Sequence, residues 1–190
     1  MASIIDFAVA DTAIEGLHTV TMKQVTDDRG TIREFYRESA FTDAGLPSLG
    51  PWVQVNVTET VRGAIRGMHG EQMHKLVAVV GGEGFGAYVD ARPDSSSFGA
   101  VVTVPLLPGT QVLVPPGVCN GFQSLGDPMQ YAYCFDQEWR PDMPGVACTP
   151  LDPALAIGWP MPFDPADPSM VSAKDASAPT FAELTETLTG

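Results

Sequence analysis

Positive charge is scarce in this chain. Ten Lys and Arg residues stand against 23 Asp and Glu over 190 residues, for a formal net charge of -13. That balance excludes a broad basic surface, so nucleic acid is not an expected partner. Cysteine is equally sparse: Cys119, Cys134 and Cys148 are odd in number and show no CxxC spacing. A zinc site or disulfide framework is therefore not expected, and buried thiols in a reducing compartment are. Long apolar runs are missing too, none approaching the roughly 20 residues of a membrane span. The segment MASIIDFAVADTAIEG has no basic residues ahead of its apolar part, which argues against a secretory signal. A cytoplasmic protein with no membrane partner is the expectation.

Helical periodicity is rare before residue 150, while turn residues are abundant, with 19 Gly and 17 Pro. Short Val- and Leu-rich runs over residues 54–58, 76–80, 86–89, 101–106 and 111–114 read as strands. Gly81-Gly82, Pro93-Asp94, Pro108-Gly109 and Pro115-Pro116-Gly117 punctuate them. The fold class this spacing predicts is all-β, an antiparallel sandwich or barrel, with a double-sheet jelly roll as the best fit. A short helical turn is expected over residues 41–45. A capped C-terminal helix is expected from Thr180 followed by Phe181-Ala182-Glu183-Leu184. No linker or repeat divides the chain, so one domain over residues 1–190 is expected.

Against the acidic background, Arg62, Arg66 and Lys75 gather around His69 in the segment RGAIRGMHGEQMHK. So acidic a molecule repels anions unless cations are concentrated at the binding site. A histidine there is a potential base acting on a negatively charged small molecule. By itself, one histidine on a strand is more often structural than catalytic. Metal binding is not expected: His69 and His74 differ by an odd number on a strand, and His18 is the only other histidine. No cofactor is expected.

Several segments together carry a resemblance. They are Asp28-Arg29-Gly30 with Glu34, Gln54-Val55-Asn56, and Arg66-Gly67-Met68-His69 with Lys75. Val114-Pro115-Pro116-Gly117-Val118-Cys119-Asn120-Gly121-Phe122 precedes Tyr133, and Ile157-Gly158-Trp159-Pro160 precedes Lys174-Asp175. In order and spacing the chain resembles the dTDP-4-dehydrorhamnose 3,5-epimerase family over roughly residues 15–182. The resemblance implies a cupin-like jelly roll, usually a homodimer with N-terminal strands exchanged between subunits. It also implies a nucleotide-linked 4-keto-6-deoxy sugar as substrate. In such chemistry the C4 ketone acidifies the protons on C3 and C5. A base removes one, an enolate forms, and an acid returns a proton to the opposite face.

The resemblance further implies that His69 is the base, Asp175 the carboxylate that orients it, and Tyr133 the acid. Lys75 is placed beside the sugar to hold the C4 oxyanion. Arg29, Glu34, Gln54, Asn56, Arg66 and Lys174 match nucleotide and pyrophosphate contacts, arginine suiting phosphate through its planar fork of donors. From the residues alone, Tyr131 and Tyr133 share a strand face, so periodicity does not choose between them. Asp90 also matches a family position, but organising a turn explains it equally well, and it is left out of the site.

The chain departs from the family's pattern at four points. The gap from His69 to Lys75 is compact, so the wall beside the sugar is rebuilt. Asn120 stands where a histidine is usual, as a substrate contact without positive charge. Pro144 falls where a glutamate meets the nucleotide, and Trp139 replaces a tyrosine. The expected activity is an epimerase acting at C3, C5 or both. The alternatives are a 3,4-ketoisomerase using the same base, and a non-catalytic cupin that binds sugar nucleotides.

Overall fold

A computed structural model describes residues 2–189. The strands in chain order are β1 (Ser3–Ile5), β2 (Ala8–Asp11), β3 (His18–Thr21), β4 (Lys23–Asp27), β5 (Gly30–Glu34), β6 (Gln54–Thr60) and β7 (Ile65–Glu71). They continue with β8 (Lys75–Gly81), β9 (Gly84–Asp90), β10 (Val101–Leu106), β11 (Thr110–Val114), β12 (Val118–Ser124), β13 (Met129–Phe135) and β14 (Gly145–Ala147). Helices α1 (Glu38–Asp43), α2 (Ala173–Ala176) and α3 (Phe181–Thr189) are short and peripheral. No helix among the described residues is long and apolar enough to cross a membrane.

Two antiparallel sheets face each other. One has the order β10-β9-β12-β7-β14, the other β2-β3-β11-β8-β13-β6. The period-two alternation of the sequence sorts side chains between three layers. Val77, Val79, Val112, Val114 and Tyr131 from the six-stranded sheet meet Tyr88, Leu106, Val118 and Phe122 from the five-stranded one. The outward residues Ala87, Val89 and Cys119 lie beneath Cys148, Leu155 and Leu184 of the C-terminal segment. On the other side, Leu76, Leu113 and Cys134 are covered by Phe41, Leu46 and Leu49 of the segment around α1. One face of the sandwich is thus sealed by the C-terminal segment and the other by the connection between β5 and β6. All three cysteines are buried thiols, as expected from their spacing.

The strand expectations hold within a residue or two at each end. The helical turn begins earlier than expected, at Glu38. The C-terminal helix starts where its cap predicts: Thr180 N and Oγ1 donate to Glu183, and Glu183 N donates to Thr180 Oγ1 at 3.3 Å. Strands β1, β4 and β5, with few apolar alternation signals, form a separate three-stranded sheet.

One local irregularity positions the site. Where β12 pairs with β7, Asn120 lies opposite His69 and Phe122 opposite Arg66. Two residues on β12 therefore span three on β7, so the alternation of β7 is interrupted within Gly67-Met68. On a regular strand Arg66 and His69 would face opposite ways, but here both front the same space between the sheets. Gly67 has φ +123°, and a Cβ on it would stand 2.5 Å from the Gly121 Cα. Neither backbone yields cheaply, and the conformation disfavours any side chain. Gly67→Ala is expected to destabilise the protein by about 3 kcal/mol or more. Gly158→Ala, whose Cβ would meet nothing within 4 Å, is expected to stay within about 0.5 kcal/mol. Urea unfolding of the two variants checks this pair of outcomes.

Candidate active site

The space between the sheets opens at one end into a cleft of three adjoining parts, and His69 and Tyr133 line all of them. The widest, about 510 Å³, is bounded by Asn56, Thr58, Glu71, Trp139, Arg140, Met143 and Lys174. A second, about 410 Å³, runs past Thr60, Arg66, Ser172, Lys174 and Asp175. The third is a narrow lobe of about 60 Å³ between Lys75, Asn120, Glu71, Phe122 and Phe135. Volumes of this order suit a small organic ligand.

His69 sits on β7 and Tyr133 on β13, so the two belong to opposing sheets. A base and an acid on facing walls reach opposite faces of a ring held between them. His69 Nε2 is 2.8 Å from Asp175 Oδ1. Asp175 comes from α2, 106 residues away, and the tail is pinned there by a parallel bridge from Val171 to Ile65 on β7. Ser172 caps α2 by accepting from Asp175 N at 3.1 Å. Lys174 and Asp175 thus belong to a separate helix of their own.

Burial opposes ionisation of Asp175, yet the His69 hydrogen bond and charge, Ser172 and the Gly67 N–H together hold its carboxyl below the ordinary value. An ionised Asp175 accepts a hydrogen bond from Nε2–H, which leaves the Nδ1 lone pair of His69 free to act as a base. Tyr133 is the tyrosine at the cleft, while Tyr131 is fully buried in the core beside Phe122. Burial pushes the Tyr133 phenol up to about 12, against the lowering effects of Thr58 and Arg66. It therefore stands protonated, as a donor.

Lys75 is 2% exposed. Its Nζ donates to the His69 carbonyl at 3.2 Å, to Glu71 Oε2 and to Asn120 Oδ1. All three ammonium hydrogens have protein acceptors, so the lysine is not the free cation that the sequence suggests. The compact gap explains this. Residues 72–74 carry the chain from one sheet to the other, with His74 Nδ1 held at 2.9 Å from Asp136 Oδ2. That crossing brings Glu71 and Lys75, four apart, into an ion pair.

Of the expected contacts, Asn56, Arg66, Lys75, Asn120 and Lys174 line the cleft. Gln54 does not; it donates to Asn56 Oδ1 at 3.2 Å and accepts from Trp139 N at 2.8 Å, so it supports the wall. Arg29 and Glu34 are not brought to the cleft within one chain. Arg29 pairs with Asp27 at 2.6 Å on the β4–β5 hairpin, and Glu34 pairs with Arg37. The reason is topological: their sheet is hydrogen-bonded to neither wall of the sandwich. Asp90 organises a turn, bonded to Arg92, Ser95 and Ser97. Sequence reasoning passed over Glu71, Thr58 and Arg140. For Glu71 the available signal was its place two residues after His69 and four before Lys75.

A jelly roll whose end cleft sets a histidine, hydrogen-bonded to a carboxylate, against a tyrosine on the facing wall has the geometry that acid–base chemistry on a bound ring requires. The family model described as dTDP-4-dehydrorhamnose 3,5-epimerase matches residues 11–183, and the chain belongs to that family of cupin-like isomerases. A dTDP-4-dehydrorhamnose 3,5-epimerase of Neisseria gonorrhoeae is 32% identical over 180 residues, covering 92% of this chain and 53% of that protein. The chain thus spans about half the length of that relative. Among solved structures, NovW is a 4-keto-6-deoxy sugar epimerase from the novobiocin biosynthetic gene cluster of Streptomyces spheroides. It superposes with a TM-score of 0.87 at 27% identity, over 96% of this chain and 92% of its own. ChmJ, a 3'-monoepimerase from Streptomyces bikiniensis in complex with dTDP-quinovose, gives 0.83 at 33% identity, over 93% and 89%.

The depressed Asp175 carboxyl has a consequence for stability. A lowered folded value means the stabilisation is full above the ordinary carboxylate range and is lost as pH falls through the folded value. Asp175→Asn is therefore expected to be less stable than the parent at pH 7, with the gap narrowing below about pH 4. Urea unfolding of both proteins from pH 7 to pH 3 measures it.

Proposed function

We propose that the chain epimerises C3, C5 or both of a nucleotide-linked 4-keto-6-deoxy sugar. The observation that carries this reading is the placement of His69 and Tyr133 on opposing sheets across one cleft. His69 Nδ1 removes the proton from the carbon beside the ketone, and the electron pair moves to the C4 oxygen as an enolate. Asp175 stabilises the imidazolium that forms. Tyr133 then donates its hydroxyl proton to the opposite face of the carbon, and the ketone is restored. Solvent resets the imidazolium and the phenolate.

Arg66, Lys174 and Arg140 fit the pyrophosphate in the wider parts of the cleft, where charge-assisted hydrogen bonds offset the repulsion from an acidic surface. Trp139, 44% exposed at the mouth, offers a flat face for the nucleotide base. The relatives' names and the ligand in the ChmJ complex support a dTDP-linked substrate.

A homodimer accompanies this reading. Edge strand β6 exposes Val55 and Val57, and the separate sheet exposes Ile4, Ile5 and Ile32. Apolar surface of this extent on an edge strand calls for a covering partner. Pairing two copies there covers it, and Arg29 and Glu34 then reach the partner's cleft. In size-exclusion chromatography with light scattering, the chain is expected to run at twice its 20.2 kDa mass, and Val57→Glu is expected to shift it toward the monomer.

The test of the reaction is proton-exchange NMR in deuterated water with a panel of dTDP- and GDP-linked 4-keto sugars. Deuterium is expected at C3, C5 or both, with the C4 ketone kept. His69→Ala and Tyr133→Phe are each expected to slow turnover by about 10²–10⁴-fold with dTDP binding changed little. Absence of exchange from every sugar in the panel would sink the proposal, and a carbonyl that moves to C3 would make the enzyme a ketoisomerase instead.

A further inference from the structure

The narrow lobe beside His69 holds a polar arrangement that the reaction as described does not use. Phe122 and Phe135 give it apolar walls, Arg66, His69 and Tyr133 also line it, and its volume of about 60 Å³ leaves room for about two water-sized groups. A phosphate with its substituents does not fit, whereas one edge of a sugar ring does. At its end the Lys75 ammonium is shared between Glu71 Oε2 and Asn120 Oδ1. Glu71 therefore keeps one carboxylate oxygen, Oε1, that meets no donor among the described residues. Because Lys75 claims the oxygen of the Asn120 amide, the orientation of that amide is fixed. Its Nδ2 donors meet no acceptor among the described residues.

The lobe thus offers one anionic acceptor and one amide donor, both anchored on the same ammonium. Two adjacent ligand groups satisfy the pair: a hydroxyl, which donates to Glu71, and a carbonyl oxygen, which accepts from Asn120. A carbonyl next to a hydroxyl-bearing carbon is an α-hydroxyketone. A hydroxyl lost from that position leaves the carboxylate oxygen without a partner in a partly enclosed site, which is costly. The lobe's small volume also excludes phosphate, so it favours the sugar end of a nucleotide sugar beside His69.

We propose that Glu71 is a specificity residue, selecting 4-keto sugars that carry a free hydroxyl on C3, while Asn120, polarised by Lys75, donates to the C4 oxygen as the enolate forms. This rests on the epimerase reading and names its substrate class more narrowly. It differs from what the family resemblance implies, in which the lysine itself holds the oxyanion. Here Lys75 acts through Asn120, and the compact turn before it creates the arrangement.

The experiment compares the parent protein, Glu71→Ala and Glu71→Gln with two dTDP-linked 4-keto-6-deoxy sugars, one bearing and one lacking the C3 hydroxyl. Deuterium exchange at C3 or C5 gives kcat/KM for each, and calorimetry gives equilibrium binding of both sugars and of dTDP. The parent is expected to favour the hydroxylated sugar by about tenfold or more, and Glu71→Ala to erase that preference. Glu71→Gln, which keeps an acceptor of the same size, is expected to retain part of it, and all three proteins to bind dTDP alike. If Glu71→Ala weakens both sugars equally, or leaves the preference intact, the assignment is wrong. Where the parent exchanges no proton from either sugar, the epimerase reading fails. The same preference is then read from binding, and its loss in Glu71→Ala still decides the role of Glu71.

Discussion

One hydrogen bond, from His69 Nε2 to Asp175 Oδ1 at 2.8 Å, ties the chemistry of this protein to its architecture. It joins the middle of the chain to a four-residue helix near its end. It also fixes which imidazole nitrogen carries the proton and sets the ring's attitude in the cleft. Much of the tail serves that bond. Val171 bridges to β7, Ser172 caps α2, and Leu184 of α3 packs with Met68 beneath the five-stranded sheet. A carboxylate held this way is expensive to bury, and its partners outweigh the cost.

The second constraint is the interruption of β7 at Gly67. Two sheets facing each other already supply opposite walls, which suits a reaction that removes a proton from one face and returns it to the other. The close crossing of Gly67 and Gly121 adds a cation, Arg66, to the wall that carries His69. A regular strand would bury one of the two side chains. The scaffold achieves the arrangement by backbone geometry rather than by extra loops, consistent with a site built on strands rather than on mobile segments.

The strands of the sandwich were legible because both sheet faces are covered, and Val, Leu and Ala runs ended by Gly and Pro follow from that. The pairing of His69 with Asp175 was legible only through the family resemblance, since nothing local to either residue points to the other across 106 positions. The choice of Tyr133 over Tyr131 needed depth along the strand, which alternation does not encode. The places of Arg29 and Glu34 were not legible, because short exposed strands carry no apolar signature and their sheet lies apart from the sandwich. Glu71 was overlooked for another reason: its role arises from a crossing between sheets, and residues 72–74 would equally fit an ordinary hairpin.

The electrostatic design is economical. A chain with ten basic residues and a net charge of -13 places Arg66, Lys75, Arg140 and Lys174 around one cleft. It then pairs the innermost, Lys75, with Glu71 and hydrogen-bonds it to Asn120. What remains is positive charge toward the mouth and a paired, directional site at the base. The central claim is that Asp175 holds His69 with its proton on Nε2 and its lone pair on Nδ1. Nitrogen-15 NMR of the labelled protein measures this directly. A neutral His69 with Nε2 protonated and Nδ1 bare, losing that preference in Asp175→Asn, is the result the account predicts. A proton on Nδ1, or no change on removing the carboxylate, would contradict it.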